Sequence, residues 1–264
     1  MSQKPQPTLE GLQRENEALK RRLTKLQGNM ERQEQYQQQN ASLLRAAMDD
    51  LDAEKAKSER LLLNILPAQI VERLSSGEEE IADRFDDVTV LFSDFVGFTE
   101  ASARTPPKRV VRALNAVFSE FDAHTQALGV EKIKTIGDAY LAVAGLPETR
   151  PDHCEAAADL ALQMLRTVSE KSDEHDQLGI RIGLHTGAVI AGIIGTHKFV
   201  YDVWGDTVNL ASRLESSADP GTIHISESVA RVLRFDYDVE PRGETALKGK
   251  GDVATFYLSG RKTD

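Results

Sequence analysis

The stretch EKIKTIGDAYLAVAG, residues 131–145, decides the fold of this chain. It reads as two short β-strands joined by a turn at Gly137 and Asp138, because strand-forming residues flank a Gly-Asp pair. The amphipathic stretch Pro107–Leu128 precedes it and predicts a long helix. We therefore expect a β-hairpin that follows a helix and carries Asp138 at its tip.

Working outward, further strand-like runs alternate with helical stretches. Val88–Ser93 and Gly179–His185 are apolar and strand-like, and Pro151–Ser172 is amphipathic and helical. This alternation predicts an α/β sandwich. Asp94 directly follows the first of these strands, so one acid lies at a strand end and Asp138 lies at a hairpin tip.

The composition excludes several classes of function. The chain has 264 residues and a formal charge of −10, from 42 acidic and 32 basic residues. Such a protein repels nucleic acid and anionic membranes. Cys154 is the only cysteine, so no internal disulfide forms, and we expect it to be a small core residue. No run approaches the roughly 18 apolar residues of a membrane span. We expect no nucleic-acid partner, no membrane segment in this chain and a cytoplasmic location.

The first part of the chain carries a heptad pattern. With Leu9 at position a, apolar residues recur in one register. Leu23, Met30, Leu44, Leu51 and Ile65 fall at a, and Leu12, Leu19, Leu26 and Leu61 fall at d. Asn16 also falls at a, where an amide pairs with its twin across a parallel two-stranded seam. A single solvated amphipathic helix is the alternative to a coiled coil.

These patterns divide the chain into three parts. Residues 1–66 form a parallel dimeric coiled coil, 67–80 a linker or transducing segment, and 81–264 a globular domain. Pro67 and Gly77 mark the end of the coil. A sensor module that precedes the coil, or a regulator that binds it, is a further expected partner.

Asp94 and Asp138 are candidate metal ligands. If their strands are neighbours in one sheet, the two carboxylates converge, which is the usual setting for two magnesium ions beside a triphosphate. The loop after Asp94 contains Gly97, which allows close backbone approach to phosphates. From spacing alone, a turn or capping role is the commoner one for an acid at a strand end.

Five segments together resemble the catalytic domain of class III nucleotidyl cyclases. They are FSDFVGFT (92–99), EKIKTIGDAYLAVAG (131–145), RIGLHTGAVIAGIIG (181–195), YDVWGDTVNLASRLES (201–216) and LKGKGD (247–252). The resemblance covers roughly residues 80–259. It implies a ferredoxin-like βαββαβ core, as in polymerase palms, that acts as a head-to-tail homodimer with sites at the interface.

The resemblance also assigns roles. Asp94, Asp138 and the backbone carbonyl of Phe95 would hold two divalent ions, Mg2+ or Mn2+, and the partner protomer would supply the remaining groups. Residues of the loop would contact the phosphates of ATP: Phe95, Val96, Gly97, Phe98 and Thr99. The metals would activate the ribose 3′-hydroxyl and stabilise the leaving pyrophosphate.

Base choice in such domains rests on two positions, here Lys134 and Asp202. A carboxylate accepts a hydrogen bond from the adenine N6 amino group and an ammonium donates to N1, whereas guanine reverses these edges. The Lys134 and Asp202 pair therefore favours ATP. In guanylate-specific members that such domains resemble, the two positions hold Glu and Cys instead. Outside these motifs, Lys134 would be a solvated strand lysine and Asp202 a turn residue.

Two residues on one helix complete the chemistry. Asn209 and Arg213 lie four apart and share a helix face. The resemblance matches Asn209 to a ribose contact and Arg213 to the arginine that stabilises charge on the α-phosphate in the transition state. An ion pair of Arg213 with Glu215 or Asp206 is the alternative.

Two basic residues are assigned to phosphates with alternatives open. Lys248 matches a lysine that reaches the terminal phosphate, although Lys250 is close enough to exchange roles with it. Arg181 matches a phosphate-contacting arginine, although it could be a structural ion-pair partner.

The sequence thus predicts an adenylate cyclase that converts ATP to 3′,5′-cyclic AMP and pyrophosphate. A guanylate cyclase or one of relaxed base choice is the alternative among enzymes. A diguanylate cyclase would show a Gly-Gly-Asp-Glu-Phe turn, which the hairpin lacks. A coiled-coil scaffold that binds nucleotide without turnover is the alternative outside enzymes.

Overall fold

A computed structural model describes residues 8–171, 179–195 and 197–262 of the chain. The first seven residues of the expected coil and the last two of the expected globular domain lie outside this range. The chain divides into two compact units, and the division falls between Asn64 and Ile65.

The first unit is a single helix, α1, which runs from Leu9 to Leu63 over 55 residues and buries none of them. Its heptad leucines are exposed in the isolated chain, from 47% for Leu12 to 75% for Leu9. The helix ends before Ile65, so the last residue assigned to the heptad lies in the turn beyond it. Pro67 caps the next helix, which explains the early end, because the residue before a proline disfavours helical geometry.

The second unit combines helices with one mixed sheet. Its helices are α2 (Ala68–Ser75), α3 (Phe98–Arg104), α4 (Pro107–Leu128), α5 (His153–Lys171), α6 (Asp206–Ser216) and α7 (Glu227–Leu233). Its strands are β1 (Ala82–Phe95), β2 (Glu131–Ile136), β3 (Ala139–Ala144), β4 (Ile180–Ile194), β5 (Val200–Trp204), β6 (Ile223–Ser226), β7 (Tyr237–Leu247) and β8 (Gly251–Arg261).

The sheet contains the expected ferredoxin-like core. Strands β1 to β4, with the helices between them, follow the order β-α-β-β-α-β, and they lie side by side as β2-β3-β1-β4. The sheet continues through β6, β8 and β7, while β5 pairs with the far part of β4. The predicted hairpin is confirmed: β2 and β3 pair antiparallel around Gly137, whose φ of 66° suits a residue without a Cβ.

Helices cover both faces of this sheet. On one face, α4, α5 and α7 pack on a core that includes Ile182 and Leu184 of β4. Gly183 lies between these two and so faces the other side, because side chains alternate along a strand. There α6 approaches so closely that a Cβ at Gly183 would lie 2.3 Å from the Glu215 backbone nitrogen. The sheet therefore separates the main core from the face on which α6 lies.

Cys154 is buried at the start of α5, as expected for a small core residue. Its sulfur lies 3.2 Å from the Thr89 hydroxyl. Within the described ranges, no helix has the length and apolar character needed to cross a membrane.

Candidate active site

The first cluster of functional residues lies where β1 ends. Asp94 is directly opposite Arg181 of β4 in the register, and Ser93 is opposite Tyr140 of β3. The β2–β3 turn is therefore next to Asp94, and Asp138 lies at that turn. The sheet brings the two acids together, as the hairpin prediction required.

This cluster combines two carboxylates with one guanidinium. The Arg181 Nη2 group donates to Asp94 Oδ2 over 2.8 Å. Partial burial and then the Asp94 carboxylate raise the pKa of Asp138, while the positive charge of Arg181 acts against this. Two carboxylates that repel each other are relieved by a cation between them.

Arg181 has a second acidic partner that sequence reasoning did not identify. Its Nε atom lies 3.2 Å from Glu215 Oε1 of α6. From sequence spacing alone, Glu215 is a candidate partner only for Arg213. In the sequence, Glu215 lies four residues after Ala211, and this helical spacing on the apolar face of α6 is the signal that indicates it faces the sheet. The arginine therefore bridges an acid of the cluster and an acid of the helix.

The donors present fit the implied divalent ions. Within the described residues, no group of three or more His, Cys, Asp or Glu side chains could hold a metal. The chain thus offers two carboxylates, and the Phe95 carbonyl follows directly after Asp94. Mg2+ is commonly held by one or two carboxylates together with substrate phosphates. The oxygen-only set suits Mg2+ or Mn2+ that arrives with a nucleotide.

The loop after Asp94 has the geometry predicted from its glycine, with one difference. Gly97 has a φ of 73° and precedes α3 as its cap residue. The Val96 amide donates to the Gly179 carbonyl over 2.8 Å, so it does not face an anion. Phe95 is buried, while Phe98 and Thr99 open the first turn of α3. The backbone donors left for a phosphate are therefore those of Gly97, Phe98 and Thr99.

A second cluster contains the two residues assigned to the base. The Lys134 ammonium donates to Asp202 Oδ2 over 2.5 Å, which joins β2 to β5. The other oxygen of Asp202 accepts from the Val203 amide over 2.9 Å, which fixes the carboxylate plane. The two residues lie 68 positions apart in sequence, yet they form one polar contact.

Helix α6 presents the remaining residues away from the sheet. Its buried positions include Thr207, Leu210 and Leu214, so Asn209 and Arg213 face outward. Thr207 fastens the start of the helix by donating to the Ala188 carbonyl over 2.6 Å.

The β7–β8 turn lies beside this outer face of α6. A Cβ at Gly249 would lie 3.7 Å from the Arg213 guanidinium. Lys250 pairs with Asp206 over 2.5 Å, and Glu215 is held by Arg181, so both acids proposed as alternative partners of Arg213 are taken. Lys248 is exposed, and no ion pair within the described part of the chain involves it.

Within a single chain, Asp94 and Asp202 pair with different parts of β4. Along β4, Arg181 pairs with Asp94 of β1, whereas Gly192, eleven positions later, pairs with Asp202 of β5. Within the described ranges, no hydrogen bond or salt bridge joins Asp94 or Asp138 to Lys134 or Asp202.

A sequence model for the adenylate and guanylate cyclase catalytic domain matches residues 80–260. The chain belongs to this family. Its cyclase domain thus contains both clusters, and the fold agrees with that of solved cyclase domains.

Relatives of both base specificities resemble this chain. The adenylate cyclase of Mycobacterium tuberculosis is 46% identical over 214 residues, which cover 80% of this chain and 48% of that protein. The guanylate cyclase domain of RhGC from Catenaria anguillulae, solved with GTP, is 39% identical with a TM-score of 0.66 and covers 68% of this chain and 100% of that one.

A third relative is the catalytic core of a rhodopsin-guanylyl cyclase with converted specificity, solved with ATPalphaS. It is 40% identical, has a TM-score of 0.65 and covers 68% of this chain and 98% of that one. The chain spans about half the length of the mycobacterial relative it matches.

Proposed function

We propose that this protein is an adenylate cyclase that converts ATP to 3′,5′-cyclic AMP and pyrophosphate at two sites between the protomers of a homodimer. The observation that carries the choice of ATP is the contact between Lys134 and Asp202. Family membership alone leaves the base open, because relatives named for either base match this chain.

The Lys134–Asp202 contact matches the polar edge of adenine. The Asp202 carboxylate accepts from the N6 amino group, and the Lys134 ammonium donates to the adjacent N1. Guanine would meet Asp202 with its O6 acceptor and Lys134 with its N1–H donor. Each contact with guanine would be unpaired or repulsive, and buried polar groups left unpaired discriminate strongly between substrates.

The chemistry needs no nucleophile from the protein. The ribose 3′-oxygen attacks the α-phosphorus, the bond to the bridging oxygen breaks, pyrophosphate leaves, and the hydroxyl proton passes to solvent. Divalent ions held by Asp94, Asp138 and the Phe95 carbonyl would supply Lewis-acid activation of the hydroxyl and charge neutralisation of the phosphates. Asp94 and Asp138 are the residues whose charge keeps those ions in place.

The remaining residues position the substrate and stabilise charge. Arg213 donates to the α-phosphate oxygens, whose charge grows in the transition state, and its planar guanidinium provides fixed donors for them. Asn209 orients the ribose. Arg181 and Lys248 contact the other phosphates.

A homodimer supplies both halves of each site. One protomer contributes Asp94, Asp138 and Arg181, and the partner contributes its base-binding pair and the outer face of α6. Every required residue type occurs in this one chain, so both interfacial sites are complete. The exposed heptad seam of α1 supports a parallel coiled coil over residues 1–66, followed by a transducing segment over 67–80 and the catalytic domain over 81–264.

A substrate comparison tests the proposal. With Mn2+ present, the purified protein should form cyclic AMP from ATP much faster than cyclic GMP from GTP. Changing Lys134→Glu together with Asp202→Cys should move the preference toward GTP, because the side chains that pair with the polar edge of adenine are replaced by ones suited to guanine. Lys132→Gln is the matched control, because Lys132 lies on the same strand and pairs with Asp122 instead.

Three results would contradict the proposal. Faster turnover of GTP by the unchanged protein would refute the choice of ATP. An unchanged substrate ratio in the double variant would refute the assignment of the two base-binding residues. ATP binding without pyrophosphate release would favour the scaffold alternative.

A further inference from the structure

Glu215 is a buried acid that the proposed reaction does not use. It is 6% exposed, and it is the one carboxylate among the buried residues of the described ranges. Burial raises the pKa of Glu215, and both Ser216 and Arg181 act in the opposite direction. A buried carboxylate is costly unless it is paired, so its partner is part of its role.

The partner is Arg181, which Glu215 shares with Asp94. The guanidinium donates to Asp94 through Nη2, and its Nε faces Glu215 Oε1 over 3.2 Å. Neither Arg181 Nε nor Glu215 Oε1 has a hydrogen-bond partner of good geometry among the described residues. The attraction between Arg181 and Glu215 is therefore mainly one of charge, which tolerates small shifts of the guanidinium.

The two acids differ in what else they are expected to hold. Under the proposed function, Asp94 also holds divalent ions, so the cations and Arg181 compete for one carboxylate. Glu215 is buried, with 8% of its side chain exposed, and the proposed function gives it no divalent ion to hold. It is therefore the anchor that can keep Arg181 in place when Asp94 is engaged by metal.

We propose that Glu215 is a positioning residue of the active site, which restrains Arg181 so that Asp94 is available to metal and the guanidinium remains directed toward the phosphates. This inference rests on the proposed function and extends it to the assembly of the metal half of the site. If Glu215 loses its negative charge, Asp94 is the remaining acidic partner of Arg181. The Arg181–Asp94 ion pair then becomes stronger, and a metal ion must break it to bind Asp94.

The same residue connects the two active sites of the dimer. Glu215 lies on the inner face of α6, and Arg213, two positions earlier, faces outward toward the site that the partner completes. The close packing at Gly183 fixes the distance between α6 and β4 beside Arg181. A shift of Arg181 therefore acts on the helix that carries the transition-state arginine of the other site.

The test measures metal requirement rather than activity alone. In Glu215→Gln, we expect the Mn2+ concentration for half-maximal activity to rise about tenfold, as for other changes behind a metal ligand. Mn2+-dependent binding of 3′-deoxy-ATP, which lacks the attacking hydroxyl and cannot cyclise, should weaken by a similar factor when followed calorimetrically. Glu215→Asp keeps the negative charge, so its Mn2+ concentration for half-maximal activity should return most of the way to that of the unchanged protein.

Controls separate positioning from folding. Glu227→Gln removes an equivalent acid from an exposed pair with Arg231 on α7 and should leave the Mn2+ requirement unchanged. In an Arg181→Met background, Glu215→Gln should add almost nothing to the loss, because both changes act on one interaction.

Two outcomes would overturn the inference: a folded Glu215→Gln protein with unchanged Mn2+ dependence, or full additivity with Arg181→Met. Failure of the proposed function is visible separately, because the unchanged protein would then make no cyclic AMP. If it made cyclic GMP instead, the same binding test would be run with 3′-deoxy-GTP.

Discussion

Replacing Gly183 by alanine should disable the enzyme without altering any residue that contacts substrate. Gly183 lies in β4 under α6, on the face of the sheet opposite the main core. An added methyl group would lie 2.3 Å from the backbone nitrogen of Glu215 and 2.4 Å from the carbonyl oxygen of Ala211. Both are backbone atoms of the helix, so no side-chain rotation can relieve the clash.

The size of the effect follows from this geometry. Ordinary contacts of a Cβ begin at 3.4 Å, so α6 must retreat by the difference from 2.3 Å, about 1.1 Å. Overpacking of this kind costs about 1–3 kcal/mol of unfolding free energy. A displacement of about 1 Å in a positioning element costs on the order of 100-fold in rate. We therefore expect kcat to fall about 100-fold because α6 carries Asn209 and Arg213.

Steady-state cyclic AMP formation and urea unfolding together check this prediction. Gly260→Ala is the matched control, because Gly260 also lies in a strand and its added methyl would make an ordinary contact of 3.6 Å with Asp238. The control should keep both kcat and the unfolding midpoint. A folded Gly183→Ala protein with the kcat of the unchanged enzyme would refute the argument that packing at this glycine sets the position of α6.

Two further predictions concern the coil and pH. Leu23→Lys with Leu26→Lys places charges in the heptad seam and should shift the full chain from dimer toward monomer in sedimentation at micromolar concentration, with a matching loss of specific activity. Thr24→Lys, at an outer heptad position, should not; equal dimerisation of both proteins would refute the coil. Burial lowers the pKa of His224 to about 4, well below that of an unfolded histidine. Because the unfolded chain then binds the proton more tightly, the contribution of His224 to the unfolding free energy should fall as pH drops from about 6.5 to 4, by up to about 3 kcal/mol. His224→Gln should make this slope less steep, as measured by urea midpoints across the same pH range; a slope parallel to that of the unchanged protein would contradict the assignment.

The local elements were predictable because their causes are local. The hairpin around Gly137 follows from strand-forming residues on either side of a turn, and α4 follows from amphipathic periodicity. The end of α1 at Leu63 was less predictable, since the heptad register continues to Ile65 while the approaching Pro67 ends the helix earlier. The heptad pattern favours a longer helix, whereas the backbone restriction before Pro67 favours an earlier end, and α1 ends early.

The pairing of charges could not be predicted from spacing. Arg213 lies close in sequence to Glu215 and Asp206, which made both acids reasonable partners for it. In the fold, Glu215 faces Arg181 and Asp206 faces Lys250, so Arg213 is directed outward. The Val96 amide likewise donates to the carbonyl of Gly179, which lies 83 positions later in the sequence.

The sequence by itself determined the family and, through the resemblance of its five motifs, the expectation of a βαββαβ core, because the order of motifs is recorded in the linear chain. The pairing of β1 with β3, which brings Asp94 near Asp138, belongs to the tertiary structure. Tertiary structure decided which charges meet. It placed Lys134 against Asp202 and brought Glu215 behind Arg181. These contacts join residues tens of positions apart, and the Glu215–Arg181 pair also depends on how closely α6 approaches the sheet at Gly183.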